Sequence, residues 1–123
     1  MNETETDKRH YDRADVHFMV AYGRKIDNNL VDRDLSQTKN ISELGMLITT
    51  RKAFDASTCL DLKVKLPVKI EPIQITGTVQ ESREISPNMI YLTRLTFSGI
   101  DEQKRKAIQE TVQYYARRKS LRS

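Results

Sequence analysis

Leu60, Leu62, Val64 and Leu66 alternate with Asp61, Lys63 and Lys65. A period of two fits a strand that buries one face and wets the other, because successive side chains of a strand point to opposite sides. Pro67 and Pro72 bracket the exit of this strand, and Ile73, Ile75, Gly77 and Val79 then repeat the same alternation. Val16, Phe18, Val20 and Tyr22 alternate with His17, Met19 and Ala21, and the run closing at Phe97 sets Met89, Tyr91, Thr93, Leu95 and Phe97 against Ile90, Leu92, Arg94 and Thr96. Leu35–Ile41 and Met46–Thr50 read as two further extended pieces. Asn28-Asn29 and Ser86-Pro87-Asn88 carry turn chemistry. Several short strands at this spacing predict a mostly β chain, a small antiparallel barrel or sandwich. A barrel is the expectation, since closing the sheet removes exposed edges.

One segment breaks the pattern. Ile100, Ala107, Ile108, Thr111, Val112 and Tyr115 recur at helical spacing and predict a C-terminal α-helix over 101–118 with one narrow apolar stripe. Lys104 falls on the same face and can bury its stem. Ser98 or Asp101 can cap the helix start, and Glu102 puts negative charge in its first turn. A stripe this narrow covers another element; it does not build a core alone.

The 123 residues suit one domain. Lys and Arg number 21 against 17 Asp and Glu, and the whole excess of +4 lies in 101–123, where seven basic residues face three acidic ones. Cations there complement a helix C-terminus; they can also meet nucleic acid or an anionic membrane surface. No run is long and apolar enough for a membrane span, and the start MNETETDK has no apolar stretch of the secretory kind, so the expected location is cytoplasmic. Cys59, the single cysteine, excludes an internal disulfide and reads as an inert, partly buried thiol. With His10 and His17 it is too small a set for a Cys/His zinc site. There is no GxSxG elbow and no P-loop, and a binding module rather than an enzyme is expected.

Two short patterns carry chemistry. RHYDR sets Arg9 and Arg13 four apart, preceded by Lys8, and NISELG sets Asn40, Ser42 and Gly45 between two apolar extended runs. Taken singly, the first can be a solvated stretch balancing Asp7, Asp12 and Asp15, and the second can be a plain turn. The RxxxR spacing also recurs at Arg118 and Arg122. In combination and in this order, the two patterns resemble the PilZ domain family, whose hallmark is RxxxR followed by (D/N)xSxxG. The resemblance spans the arginine segment, the strands and the closing helix.

The resemblance implies a six-stranded, split-type antiparallel β-barrel with a C-terminal α-helix. It divides the chain into a flexible acidic terminus at 1–7, an arginine segment at 8–15, a barrel at 16–97, a helix at 101–118 and a basic tail at 119–123. It implies that Arg9, Arg13, Asn40, Ser42 and Gly45 bind cyclic di-GMP, with the arginine segment wrapping over a barrel face and a downstream protein reading the changed surface. It implies neither catalysis nor a cofactor, and family outputs include motility and biofilm control. Lys8 holds the position thought to help decide between one ligand and an intercalated pair, and a basic residue there favours two.

The chemistry of the residues agrees with such a ligand. An Arg fork grips phosphate oxygens, or O6 and N7 of guanine, in a bidentate way. The Asn40 amide can pair with a guanine edge, the Ser42 hydroxyl can donate to an acceptor, and Gly45 permits a positive-φ turn or close backbone approach. Three departures stand beside the match. Asn40 replaces the commoner Asp, Arg94 stands where many relatives have Gly, and Gly77–Glu81 offers no aromatic or Arg to stack on a base, which leaves Arg83 for that task. Two other readings stay open at this point: a PilZ-like adaptor that binds protein and no nucleotide, and a small barrel that binds nucleic acid through its basic helix, with Tyr114 and Tyr115 as the nearby aromatics.

Overall fold

The computed structural model describes residues 13–14 and 17–122, with side chains described over 17–116. Among the described residues seven strands precede one helix: β1 (Arg13–Ala14), β2 (Met19–Ile26), β3 (Asn29–Ser42), β4 (Gly45–Thr50), β5 (Cys59–Val64), β6 (Ile73–Ser86), β7 (Ile90–Ser98) and α1 (Glu102–Arg122). Neighbours run β3-β2-β5-β6-β7-β4, and β4 pairs back onto β3, so six antiparallel strands close into the expected barrel. The short β1 joins β3 outside this ring.

The inward set is the alternating one. Leu60, Leu62, Val64 and Leu66 are all fully buried, and Ile73, Ile75 and Val79 face them from β6. Val20, Ile41, Ile48 and Leu95 complete the barrel interior. Burying each such side chain contributes about 1.5–3 kcal/mol. The helix covers this core with the expected stripe: Ala107, Ile108 and Val112 are buried, and Ile100 and Tyr115 pack against the same cluster. Asp101 caps it, its Oδ1 accepting the Lys104 amide at 2.8 Å. Thr111 is buried on the stripe because its hydroxyl donates to the Ala107 carbonyl at 2.9 Å.

The structure differs from the sequence reading in several places. The helix continues four residues past 118, to Arg122. Strand β3 starts at Asn29 rather than Leu35, because Asp27 and Asn28 both take positive φ and form a two-residue hairpin turn of the kind that preserves strand twist. One extra residue then bulges out of β3 opposite the Tyr22–Arg24 stretch, with Asp32 at φ 54°. That bulge hides the period of two along 29–34. Met89 does not share the inward face of β7; it sits exposed in the Ser86–Ile90 turn. Cys59 is exposed, since the inward set of β5 begins at Leu60.

The loop from β4 to β5 is held by a directed chain of hydroxyls. The Thr50 hydroxyl donates to the Lys52 carbonyl at 2.9 Å, so its oxygen can only accept from Thr93, 2.8 Å away. Thr93 has then used its one proton and accepts from Ser82, which in turn accepts the Phe54 amide at 3.2 Å. The order Phe54, Ser82, Thr93, Thr50, Lys52 is thus the only one that satisfies every member. Phe54 packs edge-on against Tyr22 with ring centroids 6.0 Å apart, and the Tyr22 phenol oxygen accepts the Arg51 amide at 3.3 Å. Burial pushes that phenol above its ordinary value.

Candidate functional site

The end of β3, the 42–45 turn and the outer faces of β4, β7 and β6 enclose an open cleft of about 420 Å³. Asn40, Ser42 and Gly45 all line it. Ile41, between the first two, points into the core, so the alternation of β3 turns Asn40 and Ser42 outward together. The Ser42 oxygen accepts the Leu44 amide at 3.2 Å, which fixes the turn and leaves the hydroxyl proton to donate elsewhere. The Asn40 amide makes no hydrogen bond to another described residue and keeps its full donor and acceptor capacity.

Gly45 has a packing role. It is not among the positive-φ residues, so the turn does not require its conformational freedom. A Cβ at this position would collide with the Leu95 carbonyl oxygen and come within 3.0 Å of the Thr96 Cα. Glycine therefore lets β4 approach β7 at Gly45↔Thr96, the pair that begins their ladder. Of the two reasons the sequence suggested for glycine here, close approach is the one that operates, and the close neighbour is the barrel's own backbone.

Arg13 pairs with Ser42 across β1 and β3, and Ala14 with Ile41. The second arginine of RHYDR thus occupies the register position beside the serine of NISELG. Ile41 also pairs with Met46 of β4, so β1 and β4 flank β3 on opposite edges at this level. Lys8 and Arg9 lie outside the described residues, as does His10. His17 is exposed and its Nδ1 lies 3.0 Å from the Thr38 carbonyl oxygen.

Cross-strand register adds residues that the motifs do not contain. Asn40 pairs with Leu47, Leu47 with Arg94, and Arg94 with Glu81, so one lateral row crosses four strands along the cleft. Strands lie about 4.8 Å apart, which sets Asn40 and Arg94 roughly 10 Å from each other. Arg94 donates to Glu81 at 3.2 Å. Two residues along the strands, on the same face, Arg83 pairs with Leu92 and also lines the cleft, exposed and with no ion pair to a described residue. The sequence singles out Arg83 and Arg94 but not Glu81, Leu47 or Leu92. A register shift between Val79 and Glu81 decides which of them meet, and no pattern in the sequence announces it.

The arrangement offers hydrogen-bonding groups along the β3 edge and two guanidiniums on the far wall, with Leu47 and Leu92 between them. That combination suits an anionic ligand carrying planar, polar-edged groups. The basic helix does not form a stacking platform over its described length. Tyr115 is half-buried against Phe18 with centroids 6.2 Å apart, and Tyr114 meets Tyr115 edge-on at 5.1 Å. No helix in the described chain is long and apolar enough to cross a membrane, and the described residues contain no cluster of metal-ligating side chains.

Comparison with solved structures returns the same architecture. The chain superimposes on the Bacillus subtilis inhibitor of motility (MotI/DgrA) with a TM-score of 0.71 at 21% identity, covering 94% of this chain and 53% of that one. A complex of K. pneumonia MrkH with c-di-GMP gives 0.70 at 15% identity, over 94% and 55%. The PilZ domain with c-di-GMP of YcgR from Escherichia coli gives 0.67 at 11% identity, over 94% and 96%. The chain therefore spans about half the length of the first two and nearly all of the third. No curated protein sequence matches it significantly. At these identities the superpositions speak for the fold, while the sequence itself matches the PilZ domain model over residues 7–114. With both motifs, the closed barrel and nearly the full length of the chain in that match, the protein belongs to the PilZ domain family.

Proposed function

We propose that the chain is a cyclic di-GMP receptor module without catalytic activity. The observation that carries this reading is the register of Arg13 on Ser42, beside a cleft that also holds Asn40 and Gly45. Family membership and c-di-GMP-bound relatives of the same fold support the ligand. In this reading Arg9 and Arg13 grip phosphates and guanine edges, Asn40 meets a guanine edge, and the Ser42 proton goes to a ligand acceptor. Arg83 supplies the stacking surface that Gly77–Glu81 lacks. Binding fixes the arginine segment against the barrel, and a partner protein in the cytoplasm reads the altered surface. Lys8 adds a positive charge that favours two ligands over one.

Ordering a segment opposes binding, so the expected affinity is near micromolar, about −8 kcal/mol. A ligand at a hundred times its Kd stabilises the native state by about 2.7 kcal/mol, so cyclic di-GMP raises Tm by several degrees and GTP does not. An unmoved melting curve at millimolar cyclic di-GMP contradicts the proposal and leaves a protein-binding adaptor as the reading.

A further inference from the structure

The far wall of the cleft pairs an arginine with an acid, although anion recognition needs only the arginine. Arg94 and Glu81 are joined by one 3.2 Å contact, with side chains 60% and 54% exposed. An exposed single-contact pair of this kind is weak and readily exchanged for a stronger partner. Arg94 shares a lateral row with Asn40, and both line the cleft with Arg83. Among the described residues lining the cleft, Glu81 is the only acid.

We propose that Glu81 is an affinity-setting residue, a brake that holds the Arg94 guanidinium away from the anionic ligand of this cleft. The proposal rests on the receptor reading above and assigns that site an additional cation. A phosphate entering between Asn40 and Arg94 meets a guanidinium already engaged by a carboxylate. It must either displace Glu81 or share Arg94 with it at the cost of like-charge repulsion. Either route lowers affinity relative to a cleft without the acid, and screening by salt reduces the difference. Arg83 has no such partner among the described residues and contributes to binding without this restraint.

The test is a calorimetric titration of cyclic di-GMP into the full chain, Glu81→Gln, Arg94→Gln and the double variant, at low and moderate salt. Both substitutions are at exposed positions on the strand surface, and melting curves check that each variant is folded. Glu81→Gln is expected to bind about three- to tenfold more tightly at low salt, with a smaller gain at moderate salt. In the Arg94→Gln background the same change is expected to bring a clearly smaller gain, from removal of its charge alone. Equal or weaker binding by Glu81→Gln overturns the brake, as does a gain that is undiminished without Arg94. Wild-type binding in those cases leaves the receptor reading intact. Silence from all four proteins overturns both, whereas a silent wild type with a binding Glu81→Gln variant supports the brake in its strongest form.

Discussion

Arg13 faces Ser42 across the antiparallel β1–β3 pair. The two motifs that are far apart in sequence are therefore adjacent in the fold, and a two-residue strand is what joins them. Ser42 is itself fixed by the Leu44 amide, so the turn that presents the serine also sets the register onto which the arginine segment docks.

Gly45→Ala tests the packing of that turn. The added Cβ drives into the Leu95 carbonyl, and β4 must move off β7 at the start of their ladder. The expected loss is about 1–3 kcal/mol or more, read as a lower denaturant midpoint with an unchanged m-value. An unchanged midpoint contradicts a packing role for this glycine.

Thr93→Val tests the hydroxyl chain. Valine keeps the shape but leaves Ser82 without an acceptor and Thr50 without a donor, in a buried setting. The expected destabilisation is about 1–3 kcal/mol. Thr96→Val, at an exposed position on the same strand, is expected to stay within about 0.5 kcal/mol of wild type. Equal effects at the two positions contradict the directed chain.

Asp32 tests the electrostatics of the β3 bulge. The hydrogen bond from Lys52 does most to hold its carboxyl below the usual carboxylate range; burial opposes it, and Arg24 adds to the lowering. A depressed native value means that the ionised form favours folding. The stabilisation is present above the ordinary value of about 3.9 and is lost as pH falls through the native one. Asp32→Asn is therefore expected to lower the urea midpoint at neutral pH, with the gap to wild type closing on acidification. Parallel curves from pH 7 to pH 3 contradict this role.

The parts of the fold legible in the sequence are those where one local rule acts alone. Leu60, Leu62, Val64 and Leu66 alternate without interruption and are all buried. Asp101 sits one residue before the helix and caps it. Where two strands must be compared, the sequence is silent. The early half of β3 is obscured by the Asp32 bulge, and the Glu81–Arg94 pair by the shift beside Val79. Thr50, Ser82 and Thr93 look like ordinary polar strand residues until the barrel closes and links their hydroxyls through Thr93. Asn40, Ser42 and Gly45 are legible because a turn keeps them together within six residues; Arg83 and Arg94 stand out one by one, but the wall they share does not.

The most direct measurement is a calorimetric titration of the chain and of Arg13→Ala with cyclic di-GMP, beside GTP. Saturable binding near micromolar is expected for the wild type, absent with GTP and abolished in Arg13→Ala, with a molar ratio that separates one bound ligand from two. No heat from folded wild-type protein at concentrations far above micromolar, or undiminished binding by Arg13→Ala, contradicts it.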